Sequence, residues 1–345
     1  MFGKMMNNYY YGKSGKGDYR KEDLPHNRWQ LFLEMLRIRF SALVRLNLMY
    51  MLIWLPTMIV LMMGAMGMLS SLSDSLTPAE GTAVVEQAGD TAAQTADTAA
   101  TADTAATAGA SLSVTEMLQG LSMSTLLLLI PCIAITGPFT AGVSYVTRNW
   151  ARDEHAFIWS DFKDAVKDNW KQGLAISAIT SIVPLLVYVC WNFYGQMAQS
   201  SVFMIVPQVL TLMIGVVWAL AVTYFYPLMV TYKLKMRDLF RNGFLLAVAR
   251  LPQSAGIRLL HCVPTLIAAV VAFFLNPVWA VLGLFLYYLV MGYSLSRFIT
   301  ASYTNGVFDR FINCKIEGVE VNRGLNTEDE DDDEGDSDSD SQDEQ

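Results

Sequence analysis

The densest run of groups able to donate, accept or carry charge is Arg148, Asn149, Arg152, Asp153, Glu154 and His155. Arg148 and Arg152 are four apart, so on a helix they share a face, and at its C-terminus they offset the exposed carbonyls. Such a pair could hold an anionic group, or fold onto Asp153 and Glu154 to fix a turn. His155 follows Glu154 directly, whereas a zinc-protease helix requires HExxH spacing. A turn or interface histidine is the simpler account. The chain has no GxSxG, no P-loop and no paired carboxylates in an apolar run. Its four cysteines (Cys132, Cys190, Cys262 and Cys314) form no CxxC and share no metal-like spacing with the three histidines. They read as small buried apolar residues. No catalytic set emerges, so no enzyme activity, metal or cofactor is expected.

A second set lies just downstream. Ile158, Phe162, Val166 and Trp170 recur every four residues and make one apolar stripe. Lys163, Lys167 and Lys171 stand one residue further round, and Asp164 and Asp168 on the next face. Ser160 and Asp161 suit a helix start. The plain reading is an interfacial helix, with its stripe in lipid or against a bundle and its lysines near anionic headgroups. The sharper reading is a docking surface in which Trp159, Asp161 and the aspartate face meet a partner.

The elements that hold these groups are apolar. Hydrophobic residues make up 53% of the 345, charged residues only 16%, and the mean hydropathy is +0.32. Soluble domains carry roughly 25% charge. Six apolar runs, at about 46–69, 121–146, 173–194, 206–232, 257–275 and 278–296, are long enough to span a bilayer. Trp29, Leu33, Leu36, Phe40, Leu43 and Asn47 form an amphipathic approach to the first span, beside a polar face of Gln30, Glu34, Arg37, Ser41 and Arg45. A second surface segment, Met236 to Gln253, precedes the fifth span. Gly137-Pro138 marks a kink whose freed backbone groups neighbouring helices must satisfy. Asn192 and Gln208 could line a path through the membrane, but such side chains commonly bond across helices.

Cations fix the expected orientation. No Lys or Arg occurs in 46–147, 172–232 or 259–296, and each gap holds two spans and a connection. A cation at a helix centre costs roughly 2.5–3.5 kcal/mol, and basic residues mark the inner side. Six spans with both termini inside leave all 24 basic residues on that side. The fold expected is therefore all-α, a polytopic six-helix transmembrane bundle with amphipathic surface helices, N-in and C-in. Residues 1–25 read as a flexible cytoplasmic arm and 26–310 as the membrane domain. Within it, an external Ala/Thr loop of low complexity covers 74–113, and a transient Ala-driven helix is the alternative there. Residues 311–345 form a cytoplasmic tail, acidic and disordered from 326. The formal charge of −8 belongs to that tail, since Glu328 to Gln345 carry twelve acidic residues and the rest carries 24 basic against 20 acidic.

Three stretches, LVRLNLMYMLIWLP (43–56), TGPFTAGVSYVTRNWARDEHAFIWSDF (136–162) and KDNWKQG (167–173), resemble the YesL-like family of bacterial integral membrane proteins. The resemblance spans roughly 20 to 310, and its middle motif is the most specific. The Ala/Thr loop and the acidic tail depart from the pattern. The resemblance implies a multi-pass protein of the bacterial cytoplasmic membrane, often encoded beside carbohydrate uptake and breakdown genes, with no activity attached.

Two functions follow as expectations. The first is a non-enzymatic accessory or regulatory component associated with carbohydrate uptake. Its partners would be the lipid bilayer and a membrane transport component or cytoplasmic protein, and nothing points to nucleic acid. The contact set would be Arg148, Asn149, Arg152, Asp153, Glu154, His155, Trp159, Asp161, Phe162, Lys163, Lys167, Trp170 and Lys171. The alternative is a small-solute permease or channel.

Overall fold

The computed structural model describes residues 25–76, 99–275 and 277–326, all of them helix or short connection. Among the described residues eight α-helices run in order: α1 (Arg28–Leu76), α2 (Ala99–Ala151), α3 (Ser160–Ala198), α4 (Ile205–Thr231), α5 (Met236–Ala249), α6 (Leu251–Phe274), α7 (Pro277–Tyr287) and α8 (Tyr293–Phe311). A π-helical turn, Tyr288–Gly292, joins α7 to α8, so the two make one span. Six helical stretches are long and apolar enough to cross a membrane, as the sequence predicts. The chain is a multi-pass membrane protein.

Small residues decide how the helices meet. α2 and α3 form the most extensive pair. At their crossing a Cβ on Gly137 would sit 2.1 Å from the Gly173 carbonyl oxygen, so only hydrogen fits. One turn along, Gly142 leaves room for Phe162 and Val166. Pro138 supplies no N–H to the Ala134 carbonyl, and Ser177 Oγ donates to it instead at 2.6 Å. The helix passes through both of its prolines unbroken, and a neighbour satisfies the freed group as expected.

α2 also packs on α1, α4 and α8, which makes it the central element. Two apolar clusters flank it. One joins α1, α2 and α8 through Leu43, Leu46, Val143, Trp150 and Phe298; the other joins α4 and α5 through Tyr224, Phe225, Leu228 and Leu239. Both lie in the half of the bundle next to the charged turns. None of the apolar window of α6 is buried inside the protein, and the α6–α7 hairpin faces its surroundings.

Several expectations are corrected. The 158–170 segment is not a separate surface helix. From Ser160 it is the first part of α3, and its stripe packs on α2, with Phe162 buried and stacked on Phe139 at 6.5 Å. Met236 to Gln253 does yield a separate amphipathic helix, α5, which buries Leu239, Gly243, Leu246 and Ala247. In α1 the inward residues are Leu31, Met35, Leu43, Leu46, Asn47 and Tyr50, while Trp29, Leu33 and Phe40 are exposed. The Ala/Thr segment is helical from Ala99 onward, because alanine has the strongest helix preference; residues 77–98 lie outside the described residues. None of the four cysteines is buried, and Cys262 and Cys314 are exposed. The predicted arm (up to residue 24) and the acidic tail (from 327) also fall outside the described residues.

Candidate functional site

The six polar residues at 148–155 form the end of α2 and the turn after it. Backbone bonds close that turn: Arg152 N and Glu154 N both donate to the Asn149 carbonyl, at 3.1 and 2.8 Å. Asp153 takes a left-handed conformation (φ 55°), which lets the chain reverse. Glu154 then points back at three cations. Arg152 Nε donates to it at 3.1 Å, Arg323 lies 3.5 Å away and Arg148 3.6 Å. Arg148 also donates to the Val230 carbonyl of α4 at 3.1 Å. Asn149 is buried, and its Oδ1 has no hydrogen-bond partner. Of the two readings of the arginine pair, the one in which they fold onto an acidic neighbour holds for Glu154. Asp153 stays exposed.

Sequence reasoning missed the strap that covers this turn. After α8 the chain makes a 3₁₀ turn at Asn313–Lys315 and runs back over the 148–154 turn. Asn326 N donates to the Pro25 carbonyl at 3.1 Å, so the two ends of the described body meet. Buried Asp309 accepts from Arg28 at 2.7 Å and from Asn313, and Arg28 also donates to Asn322 at 2.6 Å. Arg323 bridges Glu154 and Glu320. The only cue in the sequence was Asp309, the one acid in α8.

Downstream, the predicted contact residues divide. Asp161 accepts from Phe157 N at 2.9 Å and holds the approach to α3, so it is structural as well as surface-facing. Phe162 belongs to the core and is removed from the contact set. Lys163, Lys167 and Lys171 are exposed, and Lys171 lies over the Trp170 ring at 5.6 Å. The His155 ring lies tilted against Phe157, 4.6 Å between centroids. Phe157, Trp159 and Trp170 are 64%, 67% and 50% exposed.

Between α3 and the α4–α5 connection lies a cleft of about 990 Å³. Asp161, Asp164 and Asp168 line one wall, and Lys233 and Lys235 the other. Gln172 Nε2 bonds the Leu234 carbonyl at 2.9 Å and ties the walls together. Tyr232, at the end of α4, donates to Asn313 Oδ1 at 2.6 Å, and burial beside Asp309 pushes its phenol up to about 12. It stays a neutral donor at physiological pH. Among the described residues no group of three or more His, Cys, Asp or Glu is placed to hold a metal ion.

Within the spans, polar side chains serve helices. Asn47 of α1 is buried; it donates to the Tyr288 and Leu289 carbonyls at 2.8 and 2.9 Å and accepts from Ser294 N at 2.9 Å. It thereby satisfies backbone groups that the π turn leaves open. Asn192 donates to Tyr188 of its own helix at 2.9 Å, and Gln208 reaches the Trp191 carbonyl across α3 and α4 at 3.4 Å.

The comparisons with known proteins meet this geometry at its centre. A family model described as "Protein of unknown function, DUF624" matches residues 117–191, which cover the α2–α3 hairpin, the glycine crossing and the turn held by Glu154. No curated protein and no solved structure matches the chain. The matched stretch is similar to a domain of unknown function in what this structure shows to be a multi-pass helical membrane protein.

Proposed function

We propose that this chain is a YesL-like, non-enzymatic accessory or regulatory protein of the bacterial cytoplasmic membrane. Its charged end faces the cytoplasm and docks a cytoplasmic protein or the inner face of a transport component. One observation carries the reading: half-exposed Trp170 lines a cleft with an aspartate wall, and two more exposed aromatics, Phe157 and Trp159, precede the helix that supplies that wall. Aromatic anchors beside a charged groove are what a partner surface needs, since buried aromatics dominate binding energy and charges set register. The aspartate wall favours basic contact residues on the partner, and Lys233 and Lys235 opposite favour acidic ones, so the cleft suits a partner of mixed charge. Asn47, Asn192 and Gln208 of the spans bond helix backbone, which supports an accessory role over a permease. The link to carbohydrate uptake rests on the family resemblance.

A photo-crosslinking side chain in place of Trp159 or Asp164 tests the reading in intact cells. Protein adducts that disappear when Asp161, Asp164 and Asp168 are changed to Asn support it. Adducts to lipid alone from both positions overturn it.

A further inference from the structure

Two partly buried arginines beside the contact of α6 with α8 take no part in the ion pairs of the turn and strap. Arg258 of α6 and Arg297 of α8 have no ion pair with any carboxylate among the described residues, and neither makes a hydrogen bond there. They come from different helices that touch beside them, where His261 meets the carbonyl of Ser296, the residue before Arg297. His261, one turn beyond Arg258, faces both of them and donates from Nε2 to the Ser296 carbonyl at 3.0 Å. Both arginines are partly buried, and the Nε of Arg258 is shielded with no acceptor. Arg297 rests over the Tyr226 ring at 5.5 Å, which fixes its direction. Bringing two guanidiniums together in a site of reduced polarity costs free energy unless an anion lies between them. Arg148 shows the contrast, because Glu154 and the Val230 carbonyl occupy it.

The surroundings define the anion. Arg258 lies about two turns into α6 from the charged end, near the depth of a headgroup. Beside it, on the next face and running toward the middle of the span, Leu259, Val263, Leu266 and Val270 form a strip that is 40–65% exposed. A free anion would leave that strip unused, whereas a lipid fills both parts. Guanidinium pairs match phosphate oxygens in geometry as well as charge.

We infer that Arg258 and Arg297 form a binding site for the phosphate of an anionic phospholipid of the inner leaflet, with an acyl chain along the Leu259–Val270 strip of α6. The site is separate from the cleft beside α3 and does not depend on what docks there.

Native mass spectrometry of the full chain, released from detergent with equimolar phosphatidylglycerol and phosphatidylcholine, tests it. The wild type is expected to retain phosphatidylglycerol preferentially. Arg258→Gln and Arg297→Gln each lower that retention by about tenfold, the loss expected for one charge-assisted hydrogen bond. Arg241→Gln, a surface change on α5, leaves it unchanged, which separates the site from general attraction to a basic surface. Arg258→Lys keeps the charge and guards against a folding artefact, so it retains more lipid than Arg258→Gln. The second arm adds inorganic phosphate to protein in phosphatidylcholine alone and reads thermal unfolding, where no shift is expected. Three results overturn the assignment: no preference in the wild type, a preference untouched by both glutamine variants, or a phosphate shift equal to that from phosphatidylglycerol.

Discussion

Asp153 and Gly137 show how single positions carry the 148–173 region. Asp153 holds a left-handed backbone, and although its side chain is exposed, partial desolvation against the turn raises its carboxyl from the ordinary aspartate value despite the attraction of Arg39. A raised folded value means the native state binds the proton more tightly than the unfolded chain. Stability therefore falls as pH rises from the ordinary aspartate range through the raised one. Asp153→Asn keeps a residue that tolerates this backbone and removes the charge. It should unfold at a higher temperature than the wild type at pH 7 and at the same temperature near pH 3, while a difference independent of pH would refute the titration argument. Gly137→Ala forces a methyl into the Gly173 carbonyl and should cost about 1–3 kcal/mol, as overpacked sites do. Thermal melts in detergent would register it, and a wild-type melting temperature would mean that the helices separate freely.

Between elements, polar groups lock contacts that apolar packing leaves loose. Asn47 fastens α1 to the π turn through three bonds, so Asn47→Leu strands buried backbone groups and should cost at least about 2 kcal/mol. Hydrogen exchange at 288–294 should accelerate; unchanged protection there would show that the turn needs no help from α1. The strap depends on Arg28 and Asp309. Because Arg28 is a third exposed, Arg28→Ala should cost about 1–3 kcal/mol rather than the full penalty of a stranded buried charge. Protease cleavage within 313–326 reports it directly, and a wild-type cleavage rate would argue against the clasp. In that helix the stripe ending at Trp170 was legible in the sequence, but its partner was not. A four-residue repeat says that one face avoids water, and lipid and a neighbouring helix satisfy it equally well.

For the molecule as a whole, packing is uneven. The tight clusters, the strap and the cleft gather at one end, and the other half presents apolar residues outward. If that charged end is cytoplasmic, a membrane-impermeant reagent applied to intact cells should reach a tag in the Ala/Thr segment and miss tags at residues 1–24 and in the acidic tail. A labelled tag at either terminus reverses the orientation. Asp309, Arg28 and Asn322 were invisible as a group beforehand, since nothing local in the sequence relates residues almost three hundred apart.

The sequence alone determined that this chain is helical and that six of its stretches are long and apolar enough to cross a membrane. Those outcomes depend on the transfer of each segment from water to lipid, a quantity summed along the chain without regard to neighbours. Only the tertiary structure decided that α2 is central, that the 158–170 stripe meets α2 rather than lipid, and which arginines find acids. Helices that already sit in lipid gain nothing from hiding apolar surface, so their pairing follows fit between shapes and the few polar groups that must be answered. Both are properties of surfaces brought together from distant parts of the chain.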